Sequence, residues 1–148
     1  MIEANRAGGK KSDMSARVIW VVAGALMRPD GTWLMHRRPY EKHHGGLWEF
    51  PGGKVEGSEI PVQSIIRELK EELGIDVSEN ACEAVTFAEA TEASAPDPIV
   101  ILLYKIASWE GDPKALEGGA VDWFDRDEIA QLDKPPLDRL LFERLFGD

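Results

Sequence analysis

The chain has 148 residues, 43% apolar and 30% charged, enough for one hydrophobic core and unlike the composition of a disordered chain. Its 17 Lys plus Arg face 27 Asp plus Glu, a net charge of −10, which repels a long polyanion and excludes DNA or RNA polymers as partners. A small anionic substrate stays open, on condition that a bound cation inverts the local field.

In chain order, Met1 to Ala16 is polar and carries Gly8, Gly9, Lys10 and Lys11. It reads as a disordered tail without the apolar segment of a signal peptide, leaving 17–148 as a single domain. Val18 to Met27 is an apolar, β-branched run that reads as a buried strand. It is too short to span a bilayer and is interrupted by Gly24, so no membrane partner is expected. Pro29, Asp30 and Gly31 form a turn, after which Thr32 to Arg37 returns as the second strand of a hairpin. Pro39 to Gly46 is a loop, and Trp48 to Phe50 a short strand stopped by Pro51, Gly52 and Gly53.

The clearest helix follows, over about residues 60–73: Val62, Ile65, Ile66, Leu69 and Leu73 keep helical spacing, and Gly74 ends it. Pro61 suits the first turn, but the Ile60 side chain cannot cap, which makes Ser58 the candidate cap. Ala81 to Ala90 and Ile99 to Trp109 read as strands around a loop from Thr91 to Pro98. Ala120 to Phe124 is a further strand, Asp125 to Leu132 a short helix and Leu137 to Phe146 a closing one. This order predicts an α+β fold, a mixed sheet packed between helices. Cys82 is the single cysteine, so no internal disulfide forms, which fits a reducing cytoplasm. A monomer or homodimer is expected.

On the central helix, Glu68, Glu71 and Glu72 share one face beside the apolar stripe. Like charges at this spacing destabilise a helix. Taken alone, the three acids read as a solvated face relieved by Arg67 and Lys70. The surrounding spacing changes that reading. Gly53 is followed after five residues by Glu59, and after seven more by Arg67-Glu68-Leu69-Lys70-Glu71-Glu72-Leu73-Gly74-Ile75.

This pattern resembles the Nudix box, with all nine specified positions filled. The resemblance runs from about Val18 to Leu141 and implies an α/β/α Nudix fold with a hydrolase activity that needs Mg²⁺, or Mn²⁺ in its place. It implies metal ligands at Glu68, Glu71, Glu72 and the Gly52 carbonyl. Arg67 would hold a box glutamate in place, and either Glu68 or Glu71 would act as base.

Leu47-Trp48-Glu49-Phe50-Pro51-Gly52-Gly53-Lys54 is similar to the MutT-type branch, whose members hydrolyse nucleoside triphosphates to monophosphate and pyrophosphate. The resemblance places substrate contacts at Arg38, Glu49, Phe50, Gly52, Gly53 and Lys54, and a remote metal-site acid at Glu117. It also puts Asp138 where the founding type has an asparagine that reads oxidised guanine. An ionised carboxylate only accepts hydrogen bonds, which favours an edge rich in N–H groups such as the amino group of cytosine. Relatives with aspartate there include CTP and modified-dCTP pyrophosphohydrolases, so the expected substrate is 8-oxo-dGTP or CTP/5-methyl-dCTP. Hydrolysis of ADP-ribose or dinucleoside polyphosphates is an alternative, as is a non-catalytic nucleotide sensor, against which the complete acid set argues. His36, which alternates with apolar neighbours, and the loop residues His43 and His44 carry no catalytic expectation.

Overall fold

The computed structural model describes residues 17–90 and 97–147. The expected N-terminal tail and most of the Thr91 to Pro98 loop lie outside the described residues. Among these residues seven strands form two sheets. They are β1 (Ile19–Leu26), β2 (Trp33–Arg37), β3 (Trp48–Glu49), β4 (Gly52–Lys54), β5 (Cys82–Ala90), β6 (Ile99–Ile106) and β7 (Ala120–Phe124). The larger sheet is mixed, in the order β4-β1-β6-β5, with β1 and β6 parallel; the smaller, β3-β2-β7, is antiparallel. The helices are α1 (Pro61–Leu73), α2 (Arg126–Gln131) and α3 (Pro136–Phe146).

Strand alternation divides the core in two. Val22 and Leu26 of β1 and Leu34 of β2 point to α1, where they meet Ile65, Leu69 and Leu73. Ala23 and Ala25 point the other way with Trp33 and Met35, against Leu137 and Leu141 of α3. The sheets therefore lie between helices, as the order of elements predicts. No helix among the described residues is long and apolar enough to cross a membrane.

Three expectations need correction. The hairpin of β1 and β2 does not form as a ladder; the two strands share a single bridge, Met27 to Trp33. Both edges of β1 are already taken, by β4 on one side and β6 on the other, so β2 starts a second sheet. Gly52 and Gly53 do not merely stop a strand, since they pair with Ala23 and Val22 as β4. A Cβ on Gly52 would collide with the Val22 carbonyl, so this strand can approach β1 only as glycine. Finally, Ile60 and not Ser58 occupies the cap of α1. Its amide donates to the Gln63 side chain at 3.1 Å, and Gly74 closes the helix at φ 75° with its amide on the Lys70 carbonyl.

Candidate active site

Because α1 lays its apolar stripe against β1, residues beside that stripe face β4. Glu68 and Glu72, one turn apart, are placed there by that geometry. The Gly52 amide donates to Glu72 Oε1 at 3.0 Å. Glu68 packs so closely on Gly53 that a Cβ at Gly53 would overlap its carboxylate. Burial pushes both carboxyls above the ordinary range; for Glu72 the His36 ring pulls the other way, and for Glu68 Arg67 does. Glu71 lies further out, with half of its side chain exposed (50%, against 14% for Glu68).

Arg67 organises this face. Its Nε and Nη2 donate to the two Glu59 oxygens at 2.7 and 3.0 Å, a bidentate pair. Its Nη1 reaches Glu68 at 3.1 Å and Glu71 at 3.2 Å, and Nη2 also donates to the Lys54 carbonyl at 3.0 Å. The hydrogen bond from Arg67, with a second from Ser64, holds the Glu59 carboxyl at about 2. Lys70 does not relieve the acids; it pairs with Asp76 at 2.9 Å.

Opposite α1, β2 and β3 contribute a second group. Arg38 Nη1 donates to Glu49 Oε1 at 3.0 Å, and Arg38 Nε donates to the His43 carbonyl at 2.6 Å. His36 Nδ1 lies 3.1 Å from Glu49 Oε2 and 3.8 Å from Glu72 Oε2, while its Nε2 donates to the Gly118 carbonyl at 3.0 Å. Burial lowers the imidazole pKa, but the hydrogen bonds to Glu49 and Gly118 outweigh it and leave it raised. His36, Glu49 and Glu72 thus bring three possible ligand atoms within 4.8 Å of one another. Glu117 joins them along a cleft of about 140 Å³ that Arg38 and Lys42 also line.

A neighbouring cleft of about 260 Å³ is lined by Arg38, Glu49, Phe50, Lys54, Glu72 and Asp138, with Gly52 and Gly53 in its wall. Asp138 sits in the first turn of α3, is buried, and accepts the Phe50 amide proton at 3.1 Å. Burial, reinforced by the Glu49 charge, pushes its carboxyl up to about 7. The turn before it is fixed by Lys134, whose Nζ donates to the Ile129 and Leu132 carbonyls at 2.7 and 2.9 Å. A larger cleft of about 510 Å³, between Asp76–Ser78 and Ser108–Glu110, is lined by none of these acids.

The structure therefore gathers Arg38, Glu49, Phe50, Gly52, Gly53, Lys54, Glu68, Glu72, Glu117 and Asp138 around two adjoining clefts. Arg67 and Glu71 line neither cleft; Arg67 lies between α1 and the Lys54 carbonyl, and Glu71 is half exposed. Sequence reasoning passes over His36 and Lys134. A signal for His36 exists: it lies two residues beyond Leu34 on β2, and so on the α1 side.

Comparison with known proteins places this site in context. The family model described as "NUDIX domain" matches residues 18–145. The chain is 35% identical over 127 residues to a CTP pyrophosphohydrolase of Escherichia coli strain K12, covering 86% of this chain and 90% of that protein. It is 33% identical over 106 residues to an 8-oxo-dGTP diphosphatase of Proteus vulgaris, covering 71% and 90%. Among solved structures it is similar to a MutT NUDIX hydrolase from Burkholderia pseudomallei, with a TM-score of 0.73 and 27% identity over 87% of this chain and 98% of that one.

Proposed function

The chain belongs to the NUDIX family, and from that footing we propose that it hydrolyses a nucleoside triphosphate to the monophosphate and pyrophosphate with Mg²⁺ at the acids of α1. The observation that carries this is the convergence of Glu68 and Glu72 on Gly52 and Gly53 of β4. Nudix hydrolases work with divalent metal ions on small nucleotides. The donor set fits such an ion. Hard cations take carboxylate and carbonyl oxygens, and a buried and a partly buried acid, Glu72 and Glu68, whose pKa values are raised gain from a cation beside them.

In this reading Glu68, Glu71, Glu72, Glu117 and the Gly52 carbonyl hold Mg²⁺, for which Mn²⁺ substitutes. The ion would neutralise the polyphosphate and acidify a water. Glu68 accepts the proton of the attacking water at its carboxylate, since it abuts Gly53 while Glu71 is half exposed. Arg67 fixes Glu68 and Glu71 against their mutual repulsion. Arg38 and Lys54 bring positive charge to the rim of the 260 Å³ cleft, where the substrate phosphates would run.

The base is read by Asp138, with Phe50 and Glu49 beside it. A carboxyl near 7 has two working forms at neutral pH. Ionised, it accepts from the amino group of cytosine; neutral, it both donates and accepts, as an asparagine does toward oxidised guanine. The two relatives, named for CTP and for 8-oxo-dGTP, bracket this choice.

A panel of CTP, 5-methyl-dCTP, 8-oxo-dGTP, dGTP, ADP-ribose and a dinucleoside polyphosphate at fixed Mg²⁺ tests the proposal. Pyrophosphate release from a triphosphate of the first three is expected. Turnover of ADP-ribose or the dinucleoside alone, without pyrophosphate, overturns it.

A further inference from the structure

The Glu117 loop is docked on β2 by contacts that the hydrolytic chemistry does not use. Gly118 and Gly119 have φ of 101° and 79°, and a Cβ on Gly119 would collide with the Arg37 carbonyl. The loop therefore lies flat on the end of β2 before pairing resumes at Ala120 opposite Arg37. His36, buried at 4% exposure, reaches from the site into this loop. A carbonyl oxygen can only accept, so the 3.0 Å contact to Gly118 puts a proton on His36 Nε2. The opposite ring nitrogen lies at 3.1 Å from Glu49. The ring is rigid and spans the gap between the two.

We infer that His36 is a positioning residue that ties the Glu117 loop to the site, its Nε2–H fixing Gly118 and thereby holding Glu117 beside Glu49 and Glu72. The inference rests on the proposal that Glu117 belongs to the metal-holding group. The geometry supports a tether more than a packing role. Leu34, on the same face of the strand, is enclosed by apolar neighbours, whereas both ring nitrogens of His36 have polar partners on different segments. Hydrogen-bonded partners that orient a ligand in this way contribute to metal affinity without touching the ion.

Two variants separate the two ends of the ring. In His36→Gln the amide nitrogen falls near the position of Nε2, so the donor to Gly118 is kept. In His36→Asn it falls near Nδ1, so the donor to Glu49 is kept and the tether is lost. The probe is Mn²⁺ alone, titrated into the full chain and followed by the paramagnetic resonance of the free ion. Amide exchange of Glu117 to Gly119 is measured on the metal-free protein. His36→Asn is expected to weaken Mn²⁺ binding about tenfold or more and to speed exchange in the loop, while His36→Gln stays near the parent in both. Adding Glu117→Gln to His36→Asn should then cost nothing further.

Equal behaviour of the Asn and Gln variants overturns the inference. So does parent-like Mn²⁺ binding in His36→Asn when Glu117→Gln is weakened. Parent-like Mn²⁺ binding in Glu117→Gln is a different failure: it overturns the metal reading of Glu117. The loop exchange then judges the tether alone, and an unchanged rate in His36→Asn overturns that as well.

Discussion

Asp138 Oδ1 accepts the Phe50 amide proton at 3.1 Å across 88 residues of sequence, joining the first turn of α3 to the turn between β3 and β4. The bond ties the proposed base reader to the segment that carries Gly52 and Gly53. An asparagine keeps this acceptor and removes the titration. Asp138→Asn is therefore expected to fold and to shift the ratio of kcat/KM for CTP against 8-oxo-dGTP toward the oxidised guanine substrate, by about tenfold. An unchanged ranking would refute the base-reading role.

The same substitution has a thermodynamic signature. The folded carboxyl of Asp138 titrates near 7 and the unfolded one near 3.8. A group raised on folding contributes stability fully below its unfolded pKa, and that contribution is lost as pH rises through the folded pKa. Glu72 is raised in the same direction, so the Tm of the metal-free protein should fall between about pH 4 and pH 8. Glu59 acts in the opposite sense. Lowered to about 2, it gives stability above its unfolded pKa of 4.5 that is lost as the medium is acidified toward 2. Maximum stability without metal is then expected near pH 4–5. Asp138→Asn should raise the Tm at pH 8 by roughly 2–8 °C, from ~1–2 kcal/mol. Thermal melts of the two proteins across pH check this.

Chelation and refilling probe the acids directly. At pH 8, Mg²⁺ should raise the Tm of the parent, because it binds the folded arrangement and not the unfolded chain. In Glu72→Gln this rise should shrink, and turnover should drop by on the order of 10²-fold or more, while the metal-free Tm stays level or increases. A full Mg²⁺ response in Glu72→Gln would count against its role.

Arg67 and Lys are not interchangeable at the centre of α1. A lysine offers a point charge and cannot make the bidentate pair with Glu59 while also reaching Glu68, Glu71 and the Lys54 carbonyl. Arg67→Lys should lower kcat about 10–100-fold, with KM for the nucleotide changing less. Steady-state kinetics at saturating Mg²⁺ distinguish this from a binding defect.

The two glycines of β4 should fail in different ways. A Cβ at Gly52 meets backbone, the Val22 carbonyl, which cannot move without opening the sheet. A Cβ at Gly53 meets the end of a flexible side chain, the Glu68 carboxylate. Gly52→Ala is expected to destabilise by ~1–3 kcal/mol or more. Gly53→Ala should keep most of the stability but lose turnover as Glu68 swings away. Denaturant melts paired with activity make the comparison.

Much of the fold is legible in the order of residues alone. The spacing of Ile65, Leu69 and Leu73 and the stop at Gly74 define α1 correctly, and the alternation in Ala120 to Phe124 defines β7. Local patterns cannot show which edges of β1 are free, so they favour a hairpin with β2 although β4 and β6 take both edges. Gly52 and Gly53 carry the signature of a turn, and only the nearness of β1 makes them a strand. Arg67 and the α1 acids are reached by resemblance to the box, and Glu117, in its glycine-rich loop, by resemblance outside it. His36 escapes because its partners, Glu49, Glu72 and Gly118, are distant in sequence.

The single Met27–Trp33 bridge between β1 and β2 leaves a seam where an ordinary hairpin would have a continuous ladder. The 260 Å³ cleft opens across that seam, taking Val21 to Ala23 and Ile101 from one sheet and Glu49 from the other. The two sheets are held there by side chains and not by backbone, Leu34 on Val22 and Leu26 to one side and Trp33 and Met35 on Ala23 and Ala25 to the other. A nucleotide seated in the cleft would touch both sheets at once and add a polar link where the ladder is missing.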